Sequence, residues 1–63
     1  MRLRDAKKLH NRDEIRLKST GEVGYVLGEP VLMPKQGDAK AHIDIPAQFP
    51  SLGFTHVVHD EVE

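Results

Sequence analysis

Between Asp13 and Gly28 the chain reads Asp-Glu-Ile-Arg-Leu-Lys-Ser-Thr-Gly-Glu-Val-Gly-Tyr-Val-Leu-Gly, two stretches of alternating character separated at Thr20-Gly21. Side chains of a strand alternate between faces, so a period of two specifies strand and fixes which residues share a face. In the first stretch, roughly Glu14 to Ser19, Ile15 and Leu17 fall on one face and Glu14, Arg16 and Lys18 on the other. In the second, roughly Glu22 to Glu29, Val23, Tyr25 and Leu27 share one face and Gly24 and Val26 the other, which implies a strand covered on both sides. Gly24 lacks a side chain within a strand and is expected at a sharp bend or a close backbone crossing.

Turn-forming residues divide the rest of the chain. Residues 1 to 10 are expected to form a short helical turn or irregular lead-in, with Asp5 capping Ala6-Lys7-Lys8-Leu9 and with Leu3 and Leu9 as anchors. Asn11-Arg12-Asp13 is the expected turn into the first strand. Pro30 ends pairing after Glu29, Val31-Leu32-Met33 is a short apolar piece, and Pro34-Lys-Gln-Gly-Asp38 has strong turn composition. Ala41 to Ala47 reads as a strand with Ile43 and Ile45 inward and His42 and Asp44 outward. Pro46, which cannot donate to a ladder, argues for an edge position. Gln48-Phe-Pro-Ser-Leu-Gly53 reads as a loop, Phe54 to Val58 as a strand, and His59 to Glu63 as one helical turn opened by His59 that returns Val62 to the core.

Four or five short strands in 63 residues make a single all-β domain spanning residues 1–63. A domain of this size buries only about 60% of the surface its unfolded chain exposes. With no cysteine it has no disulfide or thiolate-bound metal to supplement the core. Setting aside four alanines and two methionines, eighteen larger apolar residues must build the core. No apolar run approaches the roughly 20 residues that cross a bilayer, and no signal-peptide stretch follows Met1-Arg2-Leu3-Arg4, so a cytoplasmic protein with no membrane partner is expected. The net charge of −1 hides an asymmetry: residues 1 to 18 carry seven Lys/Arg against three Asp/Glu, and residues 19 to 63 carry two against seven.

The run from Asp13 to Gly28 resembles the KOW motif, with its Gly-Asp opening, alternating valines, glycine-containing turn and Gly-x-Val. Asp13, Ile15, Leu17, Gly21, Gly24 and Val26 occupy those positions, and Arg12 stands where the family prefers glycine. The close, Gly53-Phe-Thr-His-Val-Val-His-Asp-Glu-Val62, is similar to the end of many Src-homology-3-like (SH3-like) barrels, where a strand runs into one short helical turn and a final apolar residue. Lead-in and close together look like small barrel proteins of bacterial genomes and their phages and mobile elements. The resemblance implies an SH3-like barrel of four to five short antiparallel strands with a short N-terminal helical turn. It also implies binding of nucleic acid or protein surfaces rather than enzymatic activity.

Candidate chemistry is sparse. His56 and His59 are three apart with Asp60 adjacent and His42 on another predicted strand, but residues three apart on a strand point to opposite faces, so no metal site or other cofactor is expected. Ser19, Thr20, Ser51 and Thr55 sit at turns or exposed strand positions, and the adjacent pairs Asp13-Glu14 and Asp60-Glu61 diverge, so no enzyme is expected. Nucleic-acid binding would use Arg12, Arg16 and Lys18 beside the basic lead-in, with Tyr25, Phe49 and Phe54 as the available base platforms; the acidic later half opposes it. Protein binding would use loop apolar residues, with Phe49 beside Pro50 as the presented anchor and Leu52 as a plug over the barrel end. The leading expectation is a small accessory binding module with a protein or protein-nucleic-acid partner, monomeric or weakly homodimeric through an exposed strand edge.

Overall fold

Alternation places Ile15 and Leu17 in the interior and leaves Glu14, Arg16 and Lys18 in solvent, and the computed structural model, which describes all 63 residues, has that arrangement. After a single helical turn α1 (Leu3–Ala6) come strands β1 (Glu14–Arg16), β2 (Val23–Val26), β3 (Val31–Met33), β4 (His42–Phe49) and β5 (Gly53–Val58), then a 3₁₀ turn His59–Glu61. All five strands belong to one antiparallel sheet: β1 pairs β2, β2 and β3 both pair β4, and β5 pairs β4.

β4 organises the sheet. Ile43, Ile45, Ala47 and Phe49 point to one face and are buried with Ile15, Leu17, Val26, Val57, Val62 and Ala6 in a single cluster, edged by Met1, Leu3 and Leu9. Ala6, not the Asp5 cap, is what the helical turn contributes: Asp5 lies inside the turn, Arg2 occupies the N-cap without a side-chain bond, and Ala6 is fully buried.

The strand assigned to Ala41–Ala47 runs two residues further, through Gln48 and Phe49, and it is central rather than an edge. Pro46 is tolerated there because of where its missing donor would point. In an antiparallel strand a residue's N–H and C=O face the same neighbour. The Pro46 carbonyl accepts from Leu27 N–H at 2.9 Å, so its ring nitrogen faces the same side, where the chain leaves β2 through Gly28-Glu29-Pro30 before β3 begins. The one ladder bond forfeited is the return bond to the Leu27 carbonyl, at the point where β2 has already ended.

Gly24 is the close approach that its position predicts. A Cβ there would lie 2.5 Å from Phe49 Cδ1 and 2.7 Å from Cε1, and would strike the Gln48 carbonyl oxygen. The Thr20-Gly21 turn is also present: Gly21 has φ 75°, its N–H reaches the Leu17 carbonyl at 2.8 Å, and Leu17 N–H reaches the Glu22 carbonyl at 2.9 Å. In the turn before β1, Arg12 adopts φ 77°, a conformation that favours glycine.

The sheet is open, and this corrects the expectation of a closed barrel. β1 and β5 share no ladder; one bridge, Leu17 to Val62, joins their ends, with Lys18 N–H to Glu61 O and Glu63 N–H to Arg16 O both at 2.9 Å. The 3₁₀ turn diverts the chain after Val58, leaving a single residue pair to face β1. That turn still delivers Val62 to full burial, and Val58 N–H is held by Glu61 Oε1 at 2.8 Å.

Candidate functional site

With one face of the sheet filled by the core, the other is open. Residues paired across antiparallel strands share a face, so the register sets Glu14, Tyr25, Gln48 and Phe54 in one row across β1, β2, β4 and β5. Arg16 pairs with Val23 in the row to one side, and Pro46 with His56 in the row to the other. Tyr25 is 55% and Phe54 59% exposed, and two strand spacings put their Cα atoms roughly 10 Å apart. The Phe54 ring meets His56 edge to face, with centroids 5.5 Å apart. Beside Tyr25 a shallow hollow of about 280 Å³ is lined by Val23, Tyr25, Leu27, Gln48, Phe49 and Pro50. The expected cover over β2 is therefore absent: none of the elements described lies across this face.

Of the five residues singled out for binding, Tyr25 and Arg16 lie on this face. Arg16 stands between acids: Glu14 is two residues back on the same strand face, and Arg16 Nε is 3.9 Å from Glu63 Oε2. Lys18 lies exposed beyond one end of β1 and Arg12 beyond the other, so the basic side chains are spread along a strand and do not converge. Phe49 is not a presented anchor. It is fully buried, because the slot above Gly24 receives its ring and β4 extends far enough to deliver it. Leu52 is exposed and plugs nothing. Phe54, named only as an available base platform, also lies on the open face, and Leu27 and Pro50 join it without a binding role expected of them. The alternation of Phe54 and His56 against Thr55 and Val57 marks two faces, but only the pairing of β5 with β4 determines which is outside.

The histidines are dispersed by use. His59 Nδ1 accepts the Ile43 N–H at 3.2 Å, His56 lies against Phe54 on the outer face, and no three His, Asp or Glu side chains are grouped to hold a metal ion. Ser51 is engaged by Glu22, whose carboxylate accepts the Ser51 hydroxyl at 2.5 Å and its N–H at 2.8 Å. Those two bonds, the hydroxyl's first, hold the Glu22 carboxyl below its ordinary value. The pair ties the β4–β5 turn to the start of β2 and is a tether between turns.

Compared with known proteins, the chain matches no family model, no curated protein and no solved structure.

Proposed function

We propose that the protein is a non-enzymatic binding module that holds an apolar segment of another protein against Tyr25, Leu27 and Phe54. The observation that carries this reading is the pair of aromatic rings, both more than half exposed, flanking Gln48 on a sheet whose other face is the core. Aromatic side chains present about 150–250 Å² each, so covering the exposed half of one ring is worth roughly 2 kcal/mol. Both rings stand on strands paired through β4, whose other face is the core, and side chains carried on such strands lose less ordering entropy on docking than side chains on a loop.

An SH3-like, KOW-like ancestry is part of the proposal. It is supported by the β1–β2 turn at Gly21, by Gly24 beneath β4, and by the 3₁₀ turn that brings Val62 back beside Leu17. Arg12 in a glycine-favouring conformation, at the position where the KOW pattern has glycine, supports it as well. An accessory role in the cytoplasm of a bacterium, or of its phage or mobile element, goes with that reading.

The competing reading is direct binding of RNA or DNA, in which Tyr25 and Phe54 act as stacking platforms. The scatter of Arg12, Arg16 and Lys18 weighs against it. Selection of a random peptide library on the wild-type protein, counter-selected on the Tyr25→Ser/Phe54→Ser variant, separates the two. Enrichment of apolar peptides that the variant does not hold is expected. No enrichment, together with retention of a single-stranded oligonucleotide that is lost as salt rises, would replace the protein reading with the nucleic-acid one.

A further inference from the structure

β3 has one free edge. It pairs only with β4, and Val31, Leu32 and Met33 are 54%, 47% and 39% exposed. The bonding pattern of that edge follows from Ile43, whose N–H is turned away from β3 toward His59 Nδ1. Facing residues in an antiparallel ladder alternate between bonded and non-bonded pairs. Leu32 faces Ile43, so theirs is a non-bonded pair, and the N–H and C=O of Leu32 point outward from the sheet. Pro30 and Pro34, two residues to either side, have no N–H. From residue 30 to residue 34, Leu32 is the one outward amide donor.

The sequence about this donor is self-complementary. Glu29-Pro-Val-Leu-Met-Pro-Lys35, turned end for end about Leu32, sets Leu32 opposite Leu32, Val31 opposite Met33, Pro30 opposite Pro34 and Glu29 opposite Lys35. We infer that β3 is the contact through which two copies of this chain pair, antiparallel and edge to edge, about a two-fold axis at Leu32. The central pair exchanges two N–H···O=C bonds, and Val31 meets Met33 twice on the outer face. Each end carries a Glu29–Lys35 charge pair. A slip of two residues replaces the central pair by two Leu32–proline pairs, each with a single N–H···O=C bond, and the charges no longer meet, so the Glu29–Lys35 pairs select the register. The contact is isologous and closes at two copies. It uses none of the residues of the proposed binding face, and so stands or falls independently of that reading.

Sedimentation of the full chain from about 10 μM to about 1 mM tests it, since a three-residue strand supports only a weak dimer. Glu29→Lys and Lys35→Glu each set like charges opposite at both ends and are expected to raise the dissociation constant about tenfold, and the double exchange to restore it. Leu32→Cys gives the chain its only cysteine, at a Cα separation of about 5.5 Å across the axis, within disulfide reach. Its oxidation to a cross-linked dimer is expected to outpace that of Leu52→Cys, a control that is the more exposed of the two. A chain monomeric throughout the range overturns the inference. So does a dimer indifferent to the charge reversals, or a Leu32→Cys variant that cross-links no faster than the control.

Discussion

The ring of Phe49 fills the space that a side chain at Gly24 would need, so these two residues, 25 positions apart, form one packing unit between β2 and β4. Gly24→Ala is expected to destabilise the fold by about 1–3 kcal/mol, the usual range for an overpacked core. Phe49→Ala leaves a cavity and is expected to cost about 3–5 kcal/mol. Urea denaturation measures both. In a Phe49→Leu background the clash with the ring is relieved while that with the Gln48 carbonyl oxygen remains, so the Gly24→Ala penalty is expected to shrink without vanishing. Equal penalties in the two backgrounds would show that Phe49 is not the obstacle.

Arg12, with φ 77°, occupies backbone space disfavoured for residues that carry a Cβ. Its N–H is nonetheless held by the Val26 carbonyl at 2.6 Å, and Gly28 N–H is held by Asn11 Oδ1 at 3.0 Å, so the turn is fixed from both sides. Arg12→Gly is expected to raise stability by about 1 kcal/mol and Arg12→Val to lower it, read as opposite shifts of the urea midpoint. A lower midpoint for Arg12→Gly would contradict the conformation.

The single bridge between Leu17 and Val62 joins the two ends of the sheet. Val62→Ala is expected to cost about 2 kcal/mol for lost burial. Leu17→Ala at the facing position should not add to it independently, because the two residues share one contact. A double-mutant cycle with a coupling of at least about 0.5 kcal/mol is the expected outcome. Simple additivity would mean that the ends are held by other contacts.

Glu22 makes stability depend on acid. Because Ser51 holds its carboxyl below the ordinary 4.5, the tether contributes fully above that value and is lost as pH falls through the lower value of the folded state. Ser51→Ala is expected to return the Glu22 titration toward 4.5, followed by the NMR shift of its carboxyl carbon. Glu22→Gln is expected to flatten the acid side of the stability profile. An unchanged titration in Ser51→Ala would rule the tether out.

Local periodicity made β1, β2, β5 and the closing turn legible in the sequence, because each strand needs only neighbours two apart to declare its faces. Pro46 and Phe49 were misread for a common reason: their environments are supplied from more than fifteen residues away. The break at Gly28–Pro30 makes a proline acceptable in a central strand, and the slot at Gly24 turns a residue with loop-like neighbours into the largest fully buried side chain. The candidate site was half visible. The sequence offers Tyr25 and Phe54 as platforms, but alternation cannot say which face lacks a cover, and only the register of β5 on β4 sets the two in one row.

None of the residues of β3 is among the buried set, although the strand is bonded to the same β4 that carries Ile43, Ile45, Ala47 and Phe49. Its release from the sheet would break a few backbone bonds and open no part of the core. Amide protons along one continuous sheet should therefore exchange with solvent on two separate timescales. Those of Val31 and Met33 would exchange early, through a local opening, and those of β4 opposite β5 only when the whole molecule unfolds.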